Sequence, residues 1–171
     1  MLSIRRADIV DAHDIARVQV ASWRKAYKGI VPDEHLDAME LAPRIERWGQ
    51  KISDMTDDNY ALVAELNADV IGFSSIGKPR DKNAGFDAEI WAIYLDPDYW
   101  RGGHGGALLK YSMQCLKTMG AKNMYVWVLK DNRIGCGFYK KMGAIEIKGL
   151  TKVFSTDDFS LDEVAYGWPS L

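Results

Sequence analysis

A run of four glycines within five residues, Gly-Gly-His-Gly-Gly at positions 102–106, is the feature of this sequence that most directly predicts ligand chemistry. It lies between an apolar stretch that predicts a buried strand and a stretch that predicts a helix. At such a turn the backbone N–H groups point outward at a helix N-terminus, and the helix dipole adds partial positive charge. An ordinary tight turn needs only one or two glycines. The run therefore predicts a phosphate or pyrophosphate site, with Arg101 adding a formal charge at its entrance.

Two common nucleotide-binding patterns do not fit this loop. The dinucleotide pattern G-x-G-x-x-G fails because Leu108 stands where the third glycine is needed after Gly103 and Gly105. A P-loop fails because no Gly-Lys-Ser or Gly-Lys-Thr occurs in the chain. The segment Trp100–Gly105 instead resembles the acyl-coenzyme-A loop, Gln or Arg, x, x, Gly, x, Gly or Ala, of the GNAT superfamily of N-acetyltransferases.

The resemblance extends over most of the chain. Residues 23–36 are similar to the two N-terminal helices of many bacterial members, and Asn132 is followed by Tyr139 and Gly143 at that family's spacing. Trp100 is a departure, because it replaces Gln or Arg at the first loop position and so removes or replaces one contact to the pyrophosphate.

The resemblance implies an acetyl-CoA-dependent N-acetyltransferase, with acetyl-CoA as cosubstrate. The pyrophosphate would rest on consecutive backbone amides, and the pantetheine arm would pair with a strand as an added strand does. Asn132 would contact the coenzyme near the thioester. The predicted amide donors are Arg101, Gly102, Gly103, His104, Gly105 and Gly106, and the predicted strand partners are Ile93, Tyr94 and Leu95.

Two residues are candidates for proton transfer. Tyr139 lies two helical turns beyond Asn132, so both project from one side of a helix, and by resemblance Tyr139 is the general acid that protonates the departing thiolate. Glu89 precedes Ile93 by four residues and is similarly placed to the catalytic Glu of histone-acetylating members, which makes it a candidate base acting through water. The alternatives are a core tyrosine and a solvated strand-edge glutamate. Cys136 has no neighbouring His, which favours direct transfer in a ternary complex over an acyl-Cys intermediate.

The acceptor is less well defined by the sequence. Five aromatic residues are candidates to line its pocket, and three acidic residues could attract a cation at the rim. These are Trp23, Tyr27, Trp48, Trp91 and Tyr94, with Asp33, Glu34 and Asp37. We expect a small cationic amine, such as a polyamine, aminoglycoside or amino acid, ahead of a protein N-terminus or lysine. A noncatalytic acyl-CoA sensor is the alternative from another functional class.

The elements that would position these residues follow from hydrophobic periodicity. The predicted order is β-α-α-β-β-β-α-β-α-β-β, with one helical stretch from Asp33 to Trp48 that Pro43 breaks or kinks. This is an α/β fold, a GNAT-like mixed, mostly antiparallel sheet flanked by helices. Parallel pairing is expected around the Glu89–Leu129 crossover.

Composition restricts the remaining functional classes. With 171 residues we expect one domain spanning 1–171. Lys plus Arg number 22 and Asp plus Glu 24, so the net charge of -2 creates no field for nucleic acid or an anionic membrane. No apolar run reaches the ~18 residues of a membrane span, and no signal peptide is visible, which predicts a cytoplasmic location.

Cysteine and histidine contribute little chemistry. Cys115 and Cys136 lie in apolar segments, as expected of core residues in a reduced interior. His13 and His35 have no Cys or His partner at metal-ligand spacing, so no metal site is expected. The two terminal extended runs could pair across a two-fold axis, which leaves a homodimer possible.

Overall fold

Seven strands form one sheet in the computed structural model, which describes all 171 residues. The strands are β1 (Leu2–Arg6), β2 (Asn59–Leu66), β3 (Asp69–Gly77), β4 (Ala88–Leu95), β5 (Met124–Leu129), β6 (Ile145–Ser155) and β7 (Ser160–Trp168). Their spatial order is β1-β2-β3-β4-β5-β7-β6. Every neighbouring pair is antiparallel except β4 and β5, which are parallel. The predicted mixed sheet, with parallel pairing at the Glu89–Leu129 crossover, is confirmed.

Five helices flank the sheet, one more than predicted. They are α1 (Ala12–Ala26), α2 (Asp33–Asp37), α3 (Ala42–Ser53), α4 (His104–Thr118) and α5 (Arg133–Lys141). The helical stretch predicted from Asp33 to Trp48 is two helices, because the chain leaves helical geometry after α2. Pro43 then occupies the first turn of α3, where its missing N–H costs nothing. The proline therefore marks the start of a second helix and does not break or kink a single one.

The two faces of the sheet carry separate cores. Helices α4 and α5 pack on one face, where Leu109, Leu116 and Val126 are buried. Helices α1 and α3 pack on the other face, where Ile15 of α1 and Phe73 of β3 are buried together. Successive residues of a strand point to opposite faces, so one strand can contribute apolar side chains to both cores. A ligand that passes between two strands can therefore reach from one helical layer to the other.

An ion pair fastens the end of β4 to α1. Arg17 donates from Nη1 to Asp96 Oδ2 over 2.7 Å and from Nη2 to the carbonyl oxygen of Val70 over 2.7 Å. Asp96 directly follows β4, and its N–H donates to Ile71 O over 2.8 Å. The carboxyl end of β4 is thus held to β3 and α1. The edge of β4 that faces β5 has no such attachment beyond Ile90. No helix is both long enough and apolar enough to cross a membrane.

Candidate active site

Strands β4 and β5 separate soon after they begin. Their parallel pairing covers only Ala88–Ile90 against Met124–Val126. Beyond Ile90 the register between β3 and β4 shifts, which leaves Trp91 as an extra residue on β4. Such a bulge bends a strand and increases its local twist. The bend turns the last residues of β4 away from β5 and opens the sheet at its centre.

The open edge of β4 presents backbone groups from alternate residues. Because Asp96 donates to Ile71 O, the alternation of an antiparallel ladder turns the backbone of Tyr94 towards β3 and that of Ile93 and Leu95 towards the opening. The carbonyl oxygen of Leu95 already accepts a 2.8 Å hydrogen bond from Trp100 Nε1. The opening therefore offers the Ile93 N–H and C=O and the Leu95 N–H. Of the three residues predicted to pair with pantetheine, Tyr94 is turned the other way.

Six consecutive backbone N–H groups, from Arg101 to Gly106, have no acceptor within the protein. The first helical hydrogen bond of this segment is donated by Ala107 N to Gly103 O over 3.1 Å. Arg101 has φ +66° and Gly103 has φ +82°, so the chain alternates hand as it enters α4. That alternation turns successive N–H groups towards one side and makes a cradle for an anion. The predicted phosphate-binding residues are therefore together at one helix N-terminus.

The glycines of this cradle serve different purposes. Gly103 is needed for its positive φ and not for lack of space, because a Cβ there would meet no atom within 4 Å. A Cβ on Gly105 would lie 3.6 Å from the Phe138 ring, and one on Gly106 would lie 3.5 Å from Met142 Sδ. A Cβ at either position would make an ordinary contact, and a longer side chain would meet α5. His104 contributes its N–H to the cradle, while its ring lies 6.4 Å from that of Tyr99.

Asn132 begins α5 beside the opening. Its Oδ1 accepts a 3.0 Å hydrogen bond from Gly135 N as a helix cap, and its Nδ2 makes no hydrogen bond within the protein. Gly135 is needed because a Cβ there would lie 2.7 Å from Asn132 Nδ2. Nothing in the structure explains Gly137, where a Cβ would meet no atom within 4 Å. The free amide of Asn132 is available to a ligand.

Tyr139 lies two turns further along α5 and is buried, with its ring against Tyr166 and Trp168 at centroid distances of 6.2 and 6.1 Å. Its hydroxyl makes no hydrogen bond within the protein. The hydroxyl keeps some accessible surface, because it is not one of the fully buried polar atoms without a partner. Burial raises the pKa of Tyr139 well above its usual value, and the neighbouring Tyr94 and Cys136 raise it further. The hydroxyl is thus protonated and free to donate.

The carboxylate of Glu89 lies at the closed end of the opening, where β4 and β5 are still paired. It is fully buried and accepts four hydrogen bonds, which leaves no free position for a water or an amine. Arg80 donates three of them, from its backbone N and from Nε and Nη2 of its guanidinium, and Tyr125 Oη donates the fourth over 3.1 Å. Burial and the adjacent carboxylate raise the pKa of Tyr125 to about 12. This arrangement favours an ion pair that ties the 78–87 loop to the sheet over a catalytic base.

An aromatic chamber lies on the α1 side of the opening. The Tyr27 and Tyr94 hydroxyls are 3.3 Å apart, and the ring of Trp23 lies 5.0 Å from Tyr27 and 6.5 Å from Tyr94. Burial raises the pKa of Tyr94, an effect that Tyr27 and Trp23 partly offset. Phe154 of β6 closes the chamber 6.3 Å from Trp23. Sequence reasoning missed Phe154, since an aromatic in an extended run gives no sign of which distant helix it will contact.

The other two aromatic residues predicted for the acceptor pocket lie elsewhere. Trp48 is buried in the α1–α3 core, where its ring packs 4.9 Å from Phe73. Trp91, the bulge residue, donates from Nε1 to Lys78 O over 3.0 Å near the surface. Asp33, Glu34 and Asp37 are exposed on α2, whose Leu36 shares an apolar cluster with Tyr27 and Trp23, so their place at the rim of the pocket stays a prediction. For the two tryptophans the structural interpretation prevails over the functional one.

The chamber holds the two buried polar side-chain atoms of the chain that lack any hydrogen-bond partner, Trp23 Nε1 and Arg44 Nε. The Arg44 guanidinium carbon lies 5.9 Å from the centroid of the Trp23 ring. Burial lowers the pKa of Arg44, and the nearby charge of Arg47 lowers it further. Each unpaired buried donor costs about 1–3 kcal/mol. Such a cost is unusual in a native protein, so each of these donors calls for an explanation.

Glu163 of β7 is a carboxylate whose charge acts on this chamber. It lies opposite Leu129 of β5 and Lys152 of β6 in the sheet. Its Oε2 lies 3.1 Å from Lys152 Nζ, with which it forms an ion pair. Its negative charge contributes to the raised pKa of Tyr27, after burial and the neighbouring tyrosines. Sequence reasoning missed Glu163 as well, because only the sheet order brings β7 beside β5.

One opening in the sheet is bordered by an anion cradle, an open strand edge and a free buried phenol. Together these features define the class of protein. The chain belongs to the acetyltransferase (GNAT) family, whose family model matches residues 18–144. It is an acetyl-CoA-dependent N-acetyltransferase, with acetyl-CoA as cosubstrate.

Three relatives show the range of similarity. An uncharacterized N-acetyltransferase of Bacillus subtilis, YuaI, is 31% identical over 171 residues, covering 100% of this chain and 95% of that protein. A spermidine N(1)-acetyltransferase of Thermoplasma acidophilum is 27% identical over 145 residues, covering 83% of this chain and 87% of that protein. The crystal structure of the PaiA N-acetyltransferase from Thermoplasma acidophilum in complex with coenzyme A superposes with a TM-score of 0.71 at 24% identity, covering 98% of this chain and 99% of that one.

Proposed function

We propose that residues 1–171 form one catalytic domain that transfers an acetyl group from acetyl-CoA directly to a primary amine of a small molecule, with both substrates bound together. The opening between β4 and β5 is the observation that carries this proposal. It has the anion cradle of α4 and the free hydroxyl of Tyr139 at its border, and the aromatic chamber on its α1 side. These features favour one site where two substrates meet.

The residues present fit acetyl-CoA. Six unpaired N–H groups from Arg101 to Gly106 match the needs of a pyrophosphate. The open backbone groups of Ile93 and Leu95 suit the amides of the pantetheine arm, and the free Nδ2 of Asn132 is available near its end. When bound, acetyl-CoA supplies an acyl thioester that is activated towards amines.

Tyr139 is the proposed general acid. As the acceptor nitrogen attacks the thioester carbon, the C–N bond forms and the C–S bond breaks, which leaves negative charge on sulfur. The phenol is protonated at neutral pH because burial raises its pKa, and it has no competing protein acceptor. It can therefore give its proton to the thiolate and regain one from solvent. The Leu95 N–H, open and unpaired, is a donor for charge that develops on the carbonyl oxygen.

We assign the removal of the acceptor's proton to solvent and not to Glu89. A base must have a free lone pair within reach of the proton it takes. Glu89 accepts four hydrogen bonds from Arg80 and Tyr125 and has no exposed surface. Its proposed role is to hold the closed end of the opening in place.

A small amine is the proposed acceptor, and two observations support it. The aromatic chamber is walled by Trp23, Tyr27, Tyr94 and Phe154, which suits a small molecule better than a folded protein. The Thermoplasma relative that is 27% identical is a spermidine N(1)-acetyltransferase. Cation–π contacts with such rings attract the protonated amine before it loses its proton.

The test combines coenzyme binding with a panel of acceptors. Calorimetric titration with acetyl-CoA is followed by measurement of thiol release with polyamines, aminoglycosides, amino acids and peptides. We expect acetyl-CoA to bind and thiol release to depend on a small amine. Binding without acceptor-dependent thiol release would indicate the sensor function, and faster reaction with peptides would indicate a protein acetyltransferase.

A further inference from the structure

Two side chains with unpartnered donors lie on the α1 side of the opening, with the Arg44 guanidinium carbon 5.9 Å from the centroid of the Trp23 ring. Trp23 Nε1 and Arg44 Nε are the chain's only buried polar side-chain atoms without a hydrogen-bond partner. The Trp23 ring lies 6.5 Å from the Tyr94 ring, and its N–H makes no hydrogen bond with the Tyr94 hydroxyl. Both atoms can only donate. A group that satisfies them must therefore supply acceptors.

The other arginines that reach into the fold have acceptors. Arg5 binds Asp11 and Glu65, and Arg80 binds Glu89. Arg17 is also paired, with Asp96 and a backbone carbonyl, and Arg24 donates to three carbonyls at the end of α2. The Arg44 side chain makes no ion pair and no hydrogen bond, although the residue is partly buried. Its positive charge is uncompensated within the protein, so an anion is the fitting partner.

This anion is not a coenzyme phosphate. The α4 cradle lies on the opposite face of the sheet, over the core of α4 and α5, whereas Trp23 and Arg44 belong to α1 and α3. Trp23 packs near Tyr94, which lies on the open segment of β4. The pair is thus within the proposed acceptor chamber.

We propose that Arg44 and Trp23 form a carboxylate subsite, so that the acceptor is an α-amino acid or another small amine that carries a carboxylate. This proposal rests on the proposed function and narrows its substrate class. The guanidinium neutralises and orients the carboxylate, the indole N–H donates to it, and the amine is left free to face the opening. Neither residue takes part in bond making or breaking.

The decisive measurement compares amines that differ only in a carboxylate. Leucine is paired with 3-methylbutylamine and lysine with cadaverine, and kcat/KM is measured for each. We expect the amino acid of each pair to be preferred by roughly tenfold or more, the usual worth of a charge-assisted hydrogen bond. Equal or better rates for the decarboxylated amines would overturn the subsite and point to Glu163 as a cation-binding group instead.

Variants localise the effect. Arg44→Gln is expected to raise KM for the amino acid by roughly tenfold or more and to leave the decarboxylated amine unchanged. Trp23→Phe, which keeps a smaller aromatic ring and removes the N–H, should do so more weakly. Arg47→Gln, an exposed arginine one turn further along α3, is the matched control and should change neither. An equal loss for both members of a pair in Arg44→Gln would contradict the proposal.

A binding readout separates this proposal from the proposed function. In a ¹H–¹⁵N spectrum, the indole resonance of Trp23, assigned by its loss in Trp23→Phe, should shift on addition of N-acetylleucine and not of N-acetyl-3-methylbutylamine. The shift should be absent in Arg44→Gln. A spectrum unchanged by the carboxylate overturns the subsite whether or not the enzyme turns over. Absence of thiol release across the whole panel, with this shift present, overturns only the proposed function.

Discussion

The indole Nε1 of Trp100 donates a 2.8 Å hydrogen bond to the carbonyl oxygen of Leu95, five residues earlier. The bond spans the turn between β4 and α4 and occupies a backbone acceptor on the open edge. The sequence shows only that Trp100 replaces a residue expected to contact pyrophosphate. The structure gives the replacement another use, which is to hold the strand end that faces the coenzyme.

Trp100→Phe should weaken binding of acetyl-CoA while the protein remains folded. The variant keeps an aromatic ring, although a smaller one, and removes the N–H, so the Leu95 carbonyl loses its partner at a cost of about 1 kcal/mol. That cost corresponds to a roughly fivefold increase in the Kd for acetyl-CoA, measured by calorimetry, if the strand end loses its alignment. An unchanged Kd would show that the bond has no part in shaping the open edge.

Tyr139→Phe should lower kcat by about 10²- to 10⁴-fold and leave the Kd for acetyl-CoA nearly unchanged, because only the proton donor is lost. Tyr166→Phe is the control, since its ring packs 6.2 Å from Tyr139 and its hydroxyl donates to Glu146. The raised pKa of Tyr139 also predicts that its proton is retained up to at least pH ~10, so the rate should not fall from its loss below that pH. A full turnover number in Tyr139→Phe would remove this residue from its role.

Gly103→Glu should abolish acetyl-CoA binding. The substitution places a negative side chain beside six amides that await an anion, at a backbone φ of +82° that strains any L residue. Gly120→Glu is the matched control, because Gly120 has φ +94° at the other end of α4 and also meets no atom within 4 Å. Both variants should lose similar thermal stability, and only the first should lose the calorimetric signal. Equal binding by the two would contradict the cradle.

Glu89→Gln should reduce stability more than activity. The amide has one oxygen fewer for the donors of Arg80 and Tyr125, at an expected cost of about 1–3 kcal/mol in the free energy of unfolding. We expect urea denaturation to show this loss and kcat to fall less than tenfold, with the pH profile of kcat unchanged. A loss of 10² or more in kcat together with a changed pH profile would restore Glu89 as the base.

Asp11 should contribute a pH-dependent part of the stability. Burial alone would raise its pKa, but hydrogen bonds from Arg5 and from the Asp8 N–H lower it below the ordinary 3.8. The group therefore binds its proton more weakly when folded. Its contribution is fully present above pH 3.8 and is lost as the pH falls through the lower, folded pKa. Urea midpoints measured from pH 6 to pH 2 should show a smaller acid loss in Asp11→Asn.

The control for this measurement is Asp57→Asn, because the Asp57 side chain is 99% exposed although it also pairs with an arginine, Arg6. It should leave the acid limb of the stability profile as in the original chain. Parallel acid limbs in all three proteins would contradict the assignment to Asp11.

Local patterns in the sequence account for the coenzyme side of the site. The glycine run predicts the cradle at 102–106 because backbone conformation and the N-terminus of a helix are local properties. The seven-residue spacing of Asn132 and Tyr139 is also a local property, and it places Asn132 at the N-cap of α5 and Tyr139 two turns along it. Period-two and period-3.6 patterns likewise predict the mixed sheet and its helices, with the division between α2 and α3 signalled by Pro43.

Only the tertiary structure decides what surrounds the acceptor, since those contacts join residues far apart in the chain. Trp91 and Trp48 look as suitable for a pocket as Trp23, but a bulge and a core position remove them. Arg44 and Glu163 carry no local signal, and they reach the chamber through the packing of α3 and the β5-β7 pairing. Periodicity determines which face of an element is buried, but it does not determine which distant side chain faces it across the fold.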